Sequence, residues 1–128
     1  MKIDTKMLEH LTRNGVQIPK HTLEAMVRYL IYGLHPGSFL ERMITKDVYN
    51  ACFCADFENK KFIADIMKCI EFNFPADCYG SEEKLCRWCG KNDEQRRKYL
   101  EEQGFLHTLY EVLKEPNPND VSTDTNLF

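Results

Sequence analysis

Six cysteines and four histidines are the residues of this 128-residue chain best suited to chemistry. Cys86-Arg87-Trp88-Cys89 is a C-x-x-C. On a helix, positions i and i+3 share a face, so both sulfurs can reach one metal ion. A structural zinc needs two further ligands. Cys52 and Cys54 are on offer, but a C-x-C on a helix points its two side chains in nearly opposite directions; Cys78, His35 and His107 are the other candidates. The chain holds no second C-x-x-C and no H-x-x-x-H, the pairing that marks a zinc domain. The competing reading is that Cys86 and Cys89, like many free cysteines, are small apolar residues of a core. No cofactor is expected, and zinc on Cys86 and Cys89 is the alternative. No βαβ pattern surrounds the pair, so thioredoxin-like exchange is not expected. No histidine and cysteine fall in a nucleophile motif. Asp47 and Asp56 are one short helix apart, Glu82-Glu83 begins another, and both pairs read as helix-start residues. The chain is not expected to be an enzyme.

Binding has more to offer. The loop Asp77-Cys78-Tyr79-Gly80 precedes a segment with Arg87 and the single tryptophan, Trp88. Tyr, Arg and Trp are the types enriched at binding hot spots, and aromatic rings can also stack a base. Tyr79, Arg87 and Trp88 are therefore the candidate binding residues, against the competing reading that Trp88 anchors a short helix on the core. Nucleic acid is not an expected partner. The net charge is −3, and the basic runs Lys60-Lys61 and Arg96-Arg97-Lys98 do not form a general basic field. Glu94, Glu101 and Glu102 around the second run give the i,i+4 pairing of a solvated helix face. Gly37 and Gly80 are isolated turn glycines, so no phosphate loop is present.

The elements that must position these residues are short and well punctuated. Asp4 is expected to cap a first helix with Met7, Leu8 and Leu11 inward, ended by Gly15. After Pro19, an amphipathic stripe runs through Leu23, Met26, Val27, Leu30, Ile31 and Leu34 until Gly33, Pro36 and Gly37 stop it. Ser38 with Glu41 spells a capping box for a third helix, with Leu40, Met43 and Ile44 inward. Asp47 lies where that stripe would continue. It is either a carboxylate near an apolar face or, preferably, the cap of a new helix through Val48, Ala51 and Cys52. Asp56 is expected to cap the longest helix, carrying Phe62, Ile63, Ile66, Met67, Cys69 and Ile70 and ended by Asn73 and Pro75. Ser81 caps a short helix over 82–89 that Gly90 closes, and Asn92 or Asp93 caps one bearing Tyr99 and Leu100. Phe105, Leu106, Leu109, Tyr110 and Leu113 continue it or form a partner.

No segment alternates as a strand does. The expected fold is all-α: a compact array of about six short helices with a disordered C-terminal tail. Residues 1–114 form the domain, and 115–128 carry Glu115, Asp120 and Asp124 with no basic residue, so the whole net charge of −3 sits in that tail. Hydrophobic residues make up 43% of the chain, enough for an ordinary core. The first residues, Met-Lys-Ile-Asp-Thr-Lys, show no apolar signal segment, and no apolar run nears the ~18 residues that span a bilayer. Reduced thiols, a cytoplasmic location and no membrane partner are the expectation.

Residues 18–89 resemble a family of small, widely distributed proteins of phages and other mobile elements. The resemblance is carried by Ile18-Pro19 with His21-Thr22, Tyr29 through Gly33, and Pro36-Gly37-Ser38-Phe39-Leu40. It continues through Asp47, Ala55-Asp56 with Asn59, Pro75, and Gly80-Ser81 with Glu83-Lys84 and Trp88. It implies a small helical domain of viral or mobile-element source, and no activity. The N-terminal helix, the 91–114 helical extension, the acidic tail and most cysteines are additions to the pattern. The expected function is that of a non-enzymatic accessory protein which binds a host macromolecule, first of all a host protein, in the host cytoplasm. The alternatives are a module that sequesters a small nucleotide, as a homo-oligomer with pockets at subunit contacts, and a zinc-stabilised or DNA-associated regulator.

Overall fold

Helix caps written into the sequence divide the chain, and the apolar stripes between them decide which sides meet. The structure, a computed structural model, describes residues 5–105. Within them eight α-helices follow one another: α1 (Thr5–Leu11), α2 (Lys20–Tyr32), α3 (Ser38–Ile44), α4 (Val48–Cys54), α5 (Phe57–Lys61), α6 (Ile63–Asn73), α7 (Glu82–Gly90) and α8 (Asp93–Glu102). Short 3₁₀ turns stand at Arg13–Gly15 and Ala76–Cys78, and no strand occurs among the described residues. The architecture is all-α, as expected. Asp4, His107, the stretch Leu106 to Leu113 and the 115–128 tail lie outside the described residues.

The buried residues form one continuous core with α2 at its centre. Of the stripe, Met26, Val27, Leu30 and Ile31 are buried and Leu23 is half-buried, and Tyr29, outside the stripe, is buried with them. Each neighbouring layer fastens to this helix by a polar bond as well as by packing. The Thr22 hydroxyl on α2 donates to the Asn59 side-chain oxygen on α5, and both residues are buried. The Tyr29 hydroxyl donates to the Cys78 carbonyl (2.7 Å), and Trp88 Nε1 on α7 donates to the Tyr29 carbonyl (3.0 Å). Arg96 Nε on α8 donates to the Ile31 carbonyl (3.2 Å). On the far side, α1 packs on α6: Asn73 Nδ2 donates to the carbonyls of Leu11 (3.0 Å) and Arg13 (3.2 Å). Burial raises the Cys69 thiol to about 12, so it stays protonated and donates to the Leu11 carbonyl (3.1 Å).

Several sequence expectations are corrected. Ser38 is not the cap of α3. Gly37 occupies that position at φ +92°, open to glycine, and its carbonyl accepts from the Glu41 amide (2.9 Å). The Glu41 carboxylate turns instead to His35 Nε2 (2.7 Å), while the Gly37 amide donates to His35 Nδ1 (3.1 Å). The first helix ends at Leu11 rather than Gly15. Leu34 falls outside the α2 stripe, because Gly33 closes the helix in the left-handed conformation, its amide bonded to the Tyr29 carbonyl. Asp56 caps the five-residue α5, not the longest helix. The chain breaks at Phe62, whose amide bonds back only three residues to the Asn59 carbonyl (3.0 Å), and α6 starts afresh behind it.

The remaining caps stand where the sequence places them. The side chain of Asp47 accepts from the Asn50 amide (3.4 Å), that of Asp56 from the Asn59 amide (2.8 Å), and that of Ser81 from the Lys84 amide (3.1 Å). Asn92, rather than Asp93, caps α8, in a reciprocal box with Gln95.

Asp56 carries a pH prediction. The Asn59 amide bond foremost, and His21 Nε2 at 3.0 Å beside it, hold its carboxyl below the ordinary carboxylate value. A carboxyl lowered in the folded state stabilises the fold above its unfolded pKa, and that contribution is lost as pH falls through the folded value. Wild type is therefore expected to exceed Asp56→Ala in stability at neutral pH, with the gap closing under acid. Urea unfolding of both proteins at stepped pH reads this directly, and a gap that stays constant into strong acid overturns it.

Candidate functional site

The residues between Asp47 and Asn59 are held to the body by little apolar surface. Only Ala51 and Ala55 are buried from α4 to the start of α5, and the two aspartate caps fix the ends of the segment. Val48 packs half-buried against the core, and the aromatic side chains point out. Tyr49 is 76% exposed, Phe53 75% and Phe57 72%. Tyr49 and Phe53, one helical turn apart, meet edge to face with ring centroids 5.5 Å apart. Phe57 follows at the head of α5, and Lys61 Nζ lies 4.3 Å from its ring centroid. Exposed single apolar residues are ordinary, but aromatic rings packed on one another in solvent are not.

The same segment carries Cys52 and Cys54, both exposed free thiols. Of the helix expected through Val48, Ala51 and Cys52, Ala51 is buried and Val48 half-buried, while Cys52 faces solvent. Arg42 Nη1 on α3 reaches Cys54 Sγ at 3.7 Å. Charged groups ring Phe57: Asp56 and Glu58 on one hand, Lys60 and Lys61 on the other, with Glu58 and Lys61 3.8 Å apart.

The candidates read from the sequence are placed differently. Trp88 is 0% exposed, set edge to face against Tyr99 with centroids 5.5 Å apart. It is a core residue and presents no binding surface. Tyr79 is half-buried and its hydroxyl donates to the Glu71 carbonyl (3.0 Å). Arg87 is exposed and spans one helical turn to Glu83 (2.8 Å). Tyr79, Arg87 and Trp88 therefore do not share one surface. Cys86 is exposed and Cys89 half-buried, with burial raising the Cys89 thiol. Cys78 is fully buried and its thiol is pushed up by that burial, while His35 is engaged by Glu41 and Gly37. Among the described residues no three His, Cys, Asp or Glu side chains converge as metal ligands, and none of the helices is long and apolar enough to cross a membrane.

Arg96 departs most from its sequence reading. Expected on a solvated face, it is 4% exposed. Besides Ile31, its guanidinium donates to the carbonyls of Trp88 (3.1 Å), Cys89 (3.4 Å) and Lys91, and it pairs with Asp93. Arg97 makes the expected pairs along the helix, with Glu94 at 3.3 Å and Glu101 at 3.9 Å, but is itself mostly buried; Lys98 is the exposed member of the run.

The exposed aromatic corner lies away from the cysteine pair and the tryptophan, the residue types that point to chemistry in the sequence. A signal was present: Tyr49, Phe53 and Phe57 recur every four residues while the small alanines 51 and 55 alternate with them. No protein-family model, no curated protein and no solved structure matches this chain.

Proposed function

We propose that this chain is a non-enzymatic accessory protein of a phage or mobile element that binds a host protein in the host cytoplasm, and that the α4–α5 corner is its docking face. The observation that carries the reading is the exposure of Tyr49, Phe53 and Phe57 at about three-quarters each. Burying such a side chain is worth roughly 1.5–3 kcal/mol. The fold forgoes that gain at three neighbouring positions while burying two alanines between them. Aromatic side chains are the residues that interfaces gather at their centres. The resemblance of residues 18–89 to mobile-element proteins supports the setting.

The motif residues behind that resemblance support a division of labour. Thr22, Asn59, Tyr29, Gly33, Gly80 and Trp88 all take part in fastenings inside the fold, Gly80 through its amide to the Ile44 carbonyl (2.8 Å). Tyr49, Phe53 and Phe57 stand outside the motif and have no structural task of this kind.

The test pairs wild type with Tyr49→Ser/Phe53→Ser. Both are immobilised and exposed to lysate of the host, with melting curves recorded beside the capture. The expected outcome is an unchanged melting temperature and at least a tenfold loss of captured protein. Equal capture by the two proteins removes the corner from the reading, and no saturable capture by either overturns the reading itself.

A further inference from the structure

The α4–α5 corner has a charge pattern that the docking reading does not use. The rim around Phe57 is balanced, two acidic groups (Asp56, Glu58) against two basic ones (Lys60, Lys61), in a chain whose net charge is −3. Apart from the Asp56 cap on the Asn59 amide and Lys61 over the Phe57 ring, their contacts within the chain are exposed ion pairs, Glu58 with Lys61 at 3.8 Å and Asp56 with His21 at 3.0 Å. Such pairs contribute little and exchange partners freely. An apolar centre with both signs on its rim is complementary to a copy of itself. A two-fold axis through it stacks ring on ring and sets the basic groups of each copy against the acidic groups of the other.

The area is also adequate. An aromatic side chain covers about 150–250 Å². Three of them at 72–76% exposure therefore offer several hundred Å² per copy. A symmetric pair then buries on the order of 1,000 Å², the lower bound for specific association and the range of reversible dimers.

We infer that in the free protein this corner is covered by a second copy of the chain, in a weak two-fold dimer that an outside partner must displace. The inference shares its surface with the docking reading and goes beyond it, because self-association is a property of the purified chain alone.

Sedimentation velocity of the full chain under reducing conditions tests it, over roughly 1 µM to 1 mM, where an interface of this size titrates. Wild type is expected to pass from monomer to dimer with concentration, and Tyr49→Ser/Phe53→Ser to stay monomeric throughout. Two charge variants sharpen the result. Lys60→Glu/Lys61→Glu leaves the rim wholly acidic, and Glu58→Lys leaves it predominantly basic. Each alone is expected to self-associate at least tenfold more weakly than wild type, and an equimolar mixture to recover a dimer. A wild type that remains monomeric throughout, a dimer that survives in Tyr49→Ser/Phe53→Ser, or a mixture no stronger than its components overturns the inference. A monomeric wild type leaves the capture experiment free to succeed. Failed capture by a protein that dimerises sinks the docking reading alone.

Discussion

Replacing Arg96 by alanine is expected to destabilise the protein by about 3–5 kcal/mol, the cost of removing one partner from a buried charged network. The side chain closes the ends of two helices at once. Its donors reach the Ile31 carbonyl in the last turn of α2 and the carbonyls of Trp88, Cys89 and Lys91 at the end of α7, while Asp93 balances its charge. These carbonyls stand at helix ends, where backbone donors run short, although that of Trp88 also accepts from the Lys91 amide (3.3 Å). Alanine takes the guanidinium donors away from all of them at once. Lysine keeps the charge but concentrates its donors at one point, so Arg96→Lys should recover only a minor part of the loss. Urea denaturation measures all three proteins, and a fall of less than about 1 kcal/mol for Arg96→Ala would falsify the network's role.

Gly33 belongs to the same prediction. It sits at φ +65°, and a Cβ there would run into the Arg96 guanidinium, with Cζ only 2.7 Å away and Nη1 nearer still. Gly33→Ala therefore carries two costs, a left-handed backbone of about 1–2 kcal/mol and a collision with Arg96. Only the second disappears when Arg96 is already alanine. The double-mutant cycle is expected to show the two losses summing to more than the loss of the double variant. Strict additivity would mean that the backbone conformation alone explains the glycine.

Trp88→Ala is expected to cost about 3–5 kcal/mol, the range for emptying a large buried aromatic site. The ring is fully enclosed between α2 and Tyr99, and its N–H shares the Tyr29 carbonyl with the Gly33 amide. Because that carbonyl retains one donor when the indole goes, most of the loss is volume rather than an orphaned acceptor. Trp88→Phe should then be clearly milder than Trp88→Ala. As the single tryptophan, Trp88 also reports its own state: its native emission should be blue-shifted and move to the red on unfolding. A Trp88→Ala protein that melts within a few degrees of wild type would return Trp88 to the list of surface candidates. Together with Arg96, this makes the α2–α7–α8 junction more sensitive to truncation than the exposed aromatic face of the α4–α5 corner.

Much of the helical framework was legible in the residues themselves. Asp47, Asp56, Ser81 and Asn92 each cap a helix. A cap is a bond between residues three apart, so the information lies within four positions. The α2 stripe was legible for a similar reason, since a helix with one apolar side must turn that side inward. The Ser38 capping box failed on equally local grounds: Gly37, able to take φ +92°, claimed the cap position one residue earlier. The break at Phe62 had no local mark, for no glycine or proline stands between Asp56 and Phe74. It accompanies a distant bond, Thr22 to Asn59, which fixes α5 against α2.

The candidate site divides the same way. Which residues are aromatic, that the fold is helical and where the side-chain-capped helices begin were determined by the sequence alone, because each rests on interactions along one stretch of chain; the start of α6 behind Phe62 was not. Which aromatic residues are sealed in and which are left in water was decided only by the tertiary structure. Trp88 lies inside because α2 and α8 close over it, Arg96 because the ends of α2 and α7 offer it carbonyls, and Tyr49, Phe53 and Phe57 lie outside because Val48, Ala51 and Ala55 take the side turned to the body. Burial depends on what stands across the gap, and residues far apart in the chain supply it.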